Sequence, residues 1–263
     1  MAMRETTRCM LALMLSIQSA CLPTDEQAEP GRVEVRVRAE PERAELATED
    51  GWHIRYDELF IAIGNVRLDR ASDEVRCEPH NDLSYLRVVD LLNGPTRLAT
   101  VFGRGQCALR LQTAEPVHFD VVSDVDAEIL AAMKQRASDG FVEDRSVVLR
   151  ITGTASRADV VYRFAWLLRQ AFDYDPCATF AFEPGAPGAI EVEVRIDELF
   201  TDTLGGPRRF EPFAAADLDG DLEITLAELR QVPAGDHLYF EAAAQLVWVE
   251  GRAPCFVGMI DQR

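Results

Sequence analysis

The chain has 263 residues, and its 27 basic and 45 acidic side chains give a formal net charge of −18. This excess of negative charge excludes nucleic acid and anionic lipid headgroups as the main electrostatic partners, because both would be repelled. It favours cations, cationic partners, or a surface whose charge serves solubility. A hydrophobic content of 48% over this length allows one large domain or two modest ones, each with a buried core.

The first residues have the pattern of an export signal. Arg4 and Arg8 form a basic region, the run from Met10 to Ile17 is apolar, and Gln18-Ser-Ala-Cys21 has the form of a processing site. The apolar run is too short to cross a bilayer as a helix. The protein is therefore expected to leave the cytoplasm.

The Ser-Ala-Cys ending resembles the bacterial lipoprotein signal, in which the cysteine becomes the lipidated first residue. We therefore expect residues 1–20 to be a lipoprotein signal peptide, Cys21 to carry the lipid, and residues 21–31 to form a short polar tether. This predicts a location at the cell envelope, with a lipid anchor in a membrane and the chain facing the periplasm or the cell exterior. Plain secretion without lipidation is the alternative.

Much of the remaining chain has the period-two alternation of half-buried strands, as where Val33, Val35 and Val37 alternate with charged residues. Such signals predict strands within 32–41, 51–68 (two runs), 86–92, 107–112, 117–122, 147–153, 160–168 and 189–196, and a helix over 125–136. Many short strands separated by turn signals are typical of an antiparallel β-sandwich. We expect a mainly β fold in which residues 32–263 form one β-sandwich domain.

Two hexapeptides nearly repeat: Arg55-Tyr-Asp-Glu-Leu-Phe60 and Arg195-Ile-Asp-Glu-Leu-Phe200. Each follows a strand-like run. One interpretation is a duplicated half of the sandwich, and another is a pair of equivalent positions where carboxylates converge at one rim. The third is coincidence, which is favoured because nothing else in the two halves of the chain aligns.

The cysteine count indicates disulfides. With the signal removed and Cys21 lipidated, four cysteines remain: Cys77, Cys107, Cys177 and Cys255. An even number in an oxidising compartment predicts two disulfides, for which three pairings are possible. Cys77–Cys107 with Cys177–Cys255 is favoured, because each bond would then cross-link one part of the chain. A zinc site is disfavoured, because no two of these cysteines are close in sequence.

The strongest motif lies near the C-terminus, in Asp217-Leu-Asp-Gly-Asp-Leu-Glu-Ile-Thr-Leu-Ala-Glu228. Oxygen-bearing residues occupy loop positions 1, 3, 5, 7, 9 and 12, as in an EF-hand, and a hard ion such as Ca²⁺ needs such ligands. Glu223 would ligate through its backbone carbonyl, Thr225 through a water and Glu228 through both carboxylate oxygens. The predicted Ca²⁺ ligands are Asp217, Asp219, Asp221, Glu223, Thr225 and Glu228.

The flanks of this loop have helix-forming composition, and residues 210–231 resemble an EF-hand segment of the EF-hand family. The family has glycine at position 6 for a sharp turn, whereas this chain has Leu222 there and Gly220 two positions earlier. A positive φ at a non-glycine residue costs about 1–2 kcal/mol, so this loop is expected to be weak or reshaped. An acidic surface turn without a metal is the alternative.

A second resemblance covers most of residues 49–255. The segment from Glu49-Asp-Gly-Trp52 to Gly64-Asn-Val66, the acidic loop, and the terminal Cys255 are similar to a group of uncharacterised bacterial lipoproteins. The resemblance implies an exported β-sandwich with a single EF-hand-like loop, and it implies no known reaction. Members of the group carry histidines just before a Leu-Phe pair, where this chain has Asp197 and Glu198.

Sequence motifs for catalysis are absent from the chain. It contains neither an H-E-x-x-H spacing nor a G-x-S-x-G elbow. We expect a non-enzymatic calcium-binding lipoprotein with a binding or scaffold role at the cell envelope, its partners being Ca²⁺, the membrane and an unidentified envelope component. The alternative is a hydrolase or carbohydrate-processing enzyme that uses an acidic rim, for which Asp120, Asp124 and Asp126 or Asp173 and Asp175 offer paired carboxylates.

Overall fold

The computed structural model describes residues 29–40, 44–70, 72, 76–81, 83–185, 187–201, 203, 205–250, 255 and 257–259. The predicted signal peptide, Cys21 and most of the tether lie outside the described residues. The fold is mainly β, as expected. The described strands, β1 to β14, are Gly31–Glu40, Glu45–Ala47, His53–Arg70, Cys77–Pro79, Leu86–Asp90, Thr96–Thr113, Val121–Ser123, Leu149–Arg157, Val160–Leu168, Phe172–Phe182, Pro187–Arg195, Glu223–Ile224, Val247–Val249 and Val257–Met259.

Helical segments are short. Helices α1 to α4 are Ala127–Lys134, Glu211–Ala214, Leu226–Leu229 and Pro233–Asp236. Further turns are 3₁₀-helical at Leu91–Asn93, Ile196–Phe200 and Ala243–Gln245, and π-helical at His237–Ala242. The helix expected over 125–136 is α1. Its alanine, leucine and methionine side chains favour helix, and its acidic first turn and basic last turn complement the helix dipole.

The sheet is mixed, which corrects the expected antiparallel arrangement. The strand order is β12-β9-β8-β3-β6-β1-β11-β13, and β10 pairs with β6. Three of the described pairs, β1–β11, β5–β7 and β12–β9, are parallel. Period-two alternation determines which face of a strand is buried but says nothing about the direction of its partner. No tight turn joins β1 to β11, so no hairpin forces them to be antiparallel.

The longest strands curl the sheet. The first half of β3 pairs with β8 and its second half with β6, with a register shift between Gly64 and Arg67. Asn65 lies in this shift at a φ of 48°, a left-handed conformation that asparagine tolerates better than most residues. Any side chain at Gly64 would meet the Tyr85 carbonyl, since an added Cβ would lie 2.6 Å from that oxygen. Gly64 and Asn65 therefore allow β3 to bend where its pairing passes from β8 to β6.

Two apolar clusters hold the described elements together. The main core takes the inward residues of β1, β3, β6 and β8 to β11 and extends to the C-terminal helical turns. A smaller cluster on the other face of β3 contains Phe60, Ala62, Val88, Met133 and Val147, and α1 covers it. Burial of apolar area supplies most of the stabilisation, at about 25 cal/mol per Å².

The four cysteines form two disulfides in the arrangement favoured from the sequence. Cys77 of β4 is bonded to Cys107 of β6, with their Cα atoms 5.0 Å apart. Cys177 of β10 is bonded to Cys255, just before β14, with a Cα separation of 4.1 Å. The second bond fixes the last described segment to the sheet. Cross-links of this kind stabilise small exported domains by about 2–4 kcal/mol each.

Candidate functional site

The loop between α2 and α3 brings three of the predicted ligands together. One carboxylate oxygen each from Asp217, Asp219 and Asp221 lies within 4.8 Å of the other two. Asp219 and Asp221 are exposed, and Asp217 is half-buried. Oxygens bound to one Ca²⁺ at about 2.4 Å can lie up to about 4.8 Å apart, so this spacing is compatible with one shared ion. The donor chemistry, carboxylate oxygen only, also suits a hard cation.

Backbone amides of the same loop orient these carboxylates. Oδ1 of Asp217 accepts hydrogen bonds from the amides of Gly220 and Asp221, at 2.9 and 3.1 Å. Oδ1 of Asp219 accepts from the Asp221 amide at 3.2 Å, and Oδ1 of Asp221 accepts from the Glu223 amide at 2.8 Å. These short-range bonds form because aspartate can reach the amides two to five residues ahead. They offset part of the repulsion among three like charges.

Leu222 has the positive φ that position 6 of this loop requires. Its φ is 65°, and its side chain is 43% exposed, so the strain is not compensated by burial of the leucine. The Leu222 carbonyl accepts a hydrogen bond from the Arg163 amide of β9 at 2.9 Å, which helps to hold the backbone in place. The backbone at position 6 therefore makes the sharp turn, rather than being reshaped there, without the glycine that normally allows it.

Glu228 closes the loop from the first turn of α3. Its Oε2 accepts from the Thr225 amide at 2.9 Å and from the Thr225 hydroxyl at 2.8 Å, which forms a capping box. Its Oε1 accepts from the Leu218 amide at 3.2 Å, so the carboxylate joins loop position 12 to loop position 2. Glu228 is thus aimed into the loop, next to the three aspartates but outside the 4.8 Å group that they form.

The second half of the loop is bonded to the sheet. Glu223–Ile224 forms β12, which pairs with Arg163 and Phe164 of β9. Ile224 is fully buried, and its carbonyl accepts a hydrogen bond from the indole nitrogen of Trp166 at 2.9 Å. Trp166 in turn packs against Phe164 and Phe213, with ring centroids 4.6 and 5.7 Å away. Movement of the loop would therefore disturb a buried aromatic group.

The lead-in to the loop is held by a turn 160 residues earlier in the chain, an anchor that we did not predict from the sequence. Oδ2 of Asp50 accepts hydrogen bonds from the amides of Phe210 and Glu211, both at 2.8 Å, and so caps α2. The Trp52 indole donates to Glu211 at 3.1 Å, and Arg157 lies 4.4 Å above the Trp52 ring. The Asp-Gly-Trp motif was the available signal, and its role is to dock α2 on the sheet.

The two similar hexapeptides meet but adopt different conformations, which argues against equivalent positions in a duplicated fold. Arg55–Phe60 lies within β3, whereas Ile196–Phe200 is a 3₁₀ turn. The Tyr56 hydroxyl donates to the Ile196 carbonyl at 3.4 Å. Burial raises the pKa of Tyr56, and the negative charge of Asp197 raises it further.

Asp197 and Glu198, the two carboxylates of the second hexapeptide, are buried and engaged in local contacts. Asp197 Oδ2 accepts two hydrogen bonds from the Arg208 guanidinium. Glu198 Oε2 accepts from the Thr201 hydroxyl at 3.2 Å and from the Gly205 amide at 3.0 Å. Both carboxylates therefore brace the segment that leads to α2.

The described surface has at least two clefts. The larger, about 660 Å³, lies over β2, β3 and β8, and Glu45 is the single carboxylate in its lining. The smaller, about 250 Å³, lies beside α1 and is rimmed by Asp90, Asp124 and Asp126. The smaller cleft is where the hydrolase alternative would find a group of carboxylates outside the loop. Asp173 and Asp175 are elsewhere, on β10, where Arg110 forms an ion pair with Asp175 at 2.7 Å.

Burial of the Asp175 carboxyl raises its pKa, and the positive charge of Arg110 acts in the opposite direction. This geometry joins Asp175 to a cation on β6 rather than to a second free carboxylate. Paired carboxylates for acid–base chemistry would need to share a substrate-sized space.

Comparison of the chain with protein-family models, with curated proteins and with solved structures finds no match in any of the three. Within the described part of the chain, none of the helices has the length and apolar character needed to cross a bilayer. Cys21, the predicted site of lipidation, lies outside the described residues. The geometry of the loop is therefore the main basis for a functional proposal.

Proposed function

We propose that this protein is an exported, non-enzymatic calcium-binding lipoprotein in which residues 217–228 hold a structural Ca²⁺. The observation that carries the proposal is the convergence of Asp217, Asp219 and Asp221 within 4.8 Å, in a loop whose residue at position 6 has a positive φ. An acidic turn needs neither the EF-hand spacing nor a strained leucine. Both features are accounted for if the loop is shaped around an ion.

Each predicted ligand has a distinct role in this proposal. Asp217, Asp219 and Asp221 each supply a carboxylate oxygen, Glu223 supplies its backbone carbonyl, and Thr225 acts through a water. Glu228 supplies both carboxylate oxygens. Because its Oε2 already accepts two hydrogen bonds from Thr225, full ligation requires release of the hydroxyl bond.

The proposed effect of the ion is to order residues 210–231 against the sheet. The loop is joined to β9 through Leu222 and Trp166, and its lead-in helix is joined to Asp50. Binding at the loop therefore stabilises elements on both sides of it. We further propose that the curled sheet packs as the two layers of a sandwich and that α2, the loop and α3 act together as a shortened EF-hand.

The location and partners form the remaining part of the proposal. The N-terminal pattern supports lipidation at Cys21 and a position at the cell envelope, and the two disulfides fit an oxidising compartment. An anchored, acidic domain with an ordered surface is suited to a binding or scaffold role. Its partners in this proposal are Ca²⁺, the membrane through the lipid, and an envelope component not yet identified.

Thermal unfolding with chelator and with Ca²⁺ tests the proposal. Calcium at about 100 times its Kd should stabilise the wild type by about 2.7 kcal/mol, which raises the Tm by several degrees. The Glu228→Gln variant should lose most of that rise, whereas Glu223→Gln should keep it because its backbone carbonyl is unchanged. A Tm that is the same with chelator and with about 10–100 mM Ca²⁺, which is 100 times the Kd of extracellular calcium modules, would leave residues 217–228 as an acidic turn.

A further inference from the structure

The smaller cleft has an apolar floor that α1 leaves partly uncovered. It lies where α1 crosses the face of β3 opposite the main core, and its volume is about 250 Å³. Phe60 and Val88 form the floor, with 8% and 2% of their surfaces exposed. Ile129 of α1 forms a wall and is only half-buried. Apolar carbon is thus accessible from solvent inside the cleft.

Carboxylates surround the opening of this cleft. Asp90 accepts hydrogen bonds from the Leu92 amide at 2.9 Å and the Asn93 amide group at 2.7 Å, so it also shapes the adjacent turn. Asp124 forms an exposed ion pair with Arg87 at 3.1 Å.

The third carboxylate on the rim, Asp126, is available to bind a ligand, because its side chain does not cap α1. It precedes α1 at the N-cap, the position where an aspartate normally accepts a bond from the first turn, yet its side chain makes no such bond. It is exposed to solvent at the edge of the cleft.

The charge balance at the cleft favours a cation. The described lining of the cleft holds three carboxylates and no cation, although Arg87, from outside the lining, pairs with Asp124. Glu128 adds a further negative charge in the first turn of α1. The N-terminus of α1 contributes the equivalent of about half a positive charge, which does not reverse this sum. The chain as a whole carries a net charge of −18, so the surrounding field has the same sign.

We propose that this cleft binds the side chain of a lysine or arginine from a partner protein. The methylene stem packs on Phe60 and Val88, and the charged head meets Asp126 at the rim. Long basic side chains bind in this way because their stems are apolar and their heads stay near water. The cleft is smaller than the 300–1,000 Å³ typical of sites for drug-sized ligands, which suits a single side chain. This site is independent of residues 217–228.

Binding of short fluorescent peptides to the whole protein, followed by fluorescence anisotropy, tests the proposal. One peptide has a central lysine flanked by leucines, a second has arginine at the centre, and a third has the uncharged norleucine there. The lysine or arginine peptide should bind and the norleucine peptide should not. Binding should weaken as ionic strength rises from about 0.01 to about 1 M, since the screening length falls from about 30 to about 3 Å.

Variants locate the binding. Asp126→Asn should lower the affinity about two- to fivefold, the range expected for one exposed charge pair, and Ile129→Ser should lower it by a similar factor through the apolar wall. Asp159→Asn is the matched control, because it removes the same charge from an exposed position far from the cleft. Asp159 lies in the β8–β9 turn, at the start of β9, whereas α1 packs near the other end of that strand, about 25 Å away.

Three outcomes would overturn the proposal. They are absence of binding by both basic peptides, equal binding of the norleucine peptide, and an equal loss of affinity in Asp126→Asn and Asp159→Asn. The last result would mean that the acidic surface attracts basic peptides generally and that the cleft plays no part.

Discussion

Among single residues, Leu222 carries the strain of the loop. It has a φ of 65° and an exposed side chain, so its conformation gains little from packing. A left-handed conformation costs a leucine about 1–2 kcal/mol, and glycine has no such cost. The residue therefore limits both the stability of the loop and the affinity that the loop can have for an ion.

Leu222→Gly should raise the affinity for Ca²⁺ and should not destabilise the ion-free protein by more than about 0.5 kcal/mol, because relief of strain offsets the added flexibility of the unfolded chain. Leu218→Gly is the control: Leu218 is also an exposed leucine of this loop, but its φ is not positive. That control should lower the affinity. Calcium titrations of both variants would reveal the difference, and a loss of affinity in Leu222→Gly would show that the leucine is not under strain.

The convergence of Asp217, Asp219 and Asp221 could be predicted from the sequence because it is local. Twelve consecutive residues contain every proposed ligand, and the positive φ of Leu222 follows from its position in that spacing. The contact of Asp50 with Phe210 could not be derived in this way, because 160 residues separate the partners. Hydrogen bonds between residues close in sequence can be predicted from the residue types, but contacts at such separations depend on the sheet topology.

At the scale of elements, α2 depends on Asp50 for its N-terminal cap. A helix of four residues cannot be stable alone, so its position depends on outside contacts. Asp50→Ala removes the acceptor for two amides and should destabilise the protein by about 1–2 kcal/mol in urea unfolding.

Asp57→Ala is the control for Asp50→Ala, since Asp57 is a partly exposed aspartate whose partner is Arg55 at the surface of β3. It should change the free energy of unfolding by less than about 0.5 kcal/mol. Similar losses in the two variants would mean that the Asp50 cap has no special role.

The contact of β12 with β9 links the loop to the core through one indole. Trp166→Phe keeps an aromatic ring but leaves the buried Ile224 carbonyl without its donor. We expect a loss of about 1–3 kcal/mol in stability, together with weaker Ca²⁺ binding. Trp248→Phe also removes an indole bond, to the Gln245 carbonyl, but at a half-buried position, and it should cost less. Unfolding and calcium titrations measured on both proteins would show whether the loop and the aromatic group are coupled.

Strand partners were harder to foresee than the strands themselves. The alternation in β1 and β11 correctly predicted two strands, yet these strands are parallel neighbours rather than members of antiparallel hairpins. The two similar hexapeptides also show that similar local sequences can adopt different structures, because one is extended within β3 and the other forms a 3₁₀ turn. Tertiary context overrides local sequence preference at both places.

The whole molecule combines a curled mixed sheet, two disulfides and an acidic loop near its C-terminal end. The disulfides fix β4 to β6 and the C-terminal segment to β10, while the loop is held to β9 and to the turn that contains Asp50. The strands and the lead-in helix around the loop are therefore held in place by covalent bonds and hydrogen bonds. An ion bound there would add a further constraint on the loop and on the elements that flank it.

Isothermal titration calorimetry with Ca²⁺ tests the central claim most directly. The wild type should bind one ion per chain with a Kd of about 10⁻⁴–10⁻³ M, the range of extracellular calcium modules. Glu228→Gln should weaken binding at least about tenfold, whereas Glu223→Gln should leave it nearly unchanged. No heat of binding at millimolar Ca²⁺, or equal binding by wild type and Glu228→Gln, would contradict the account.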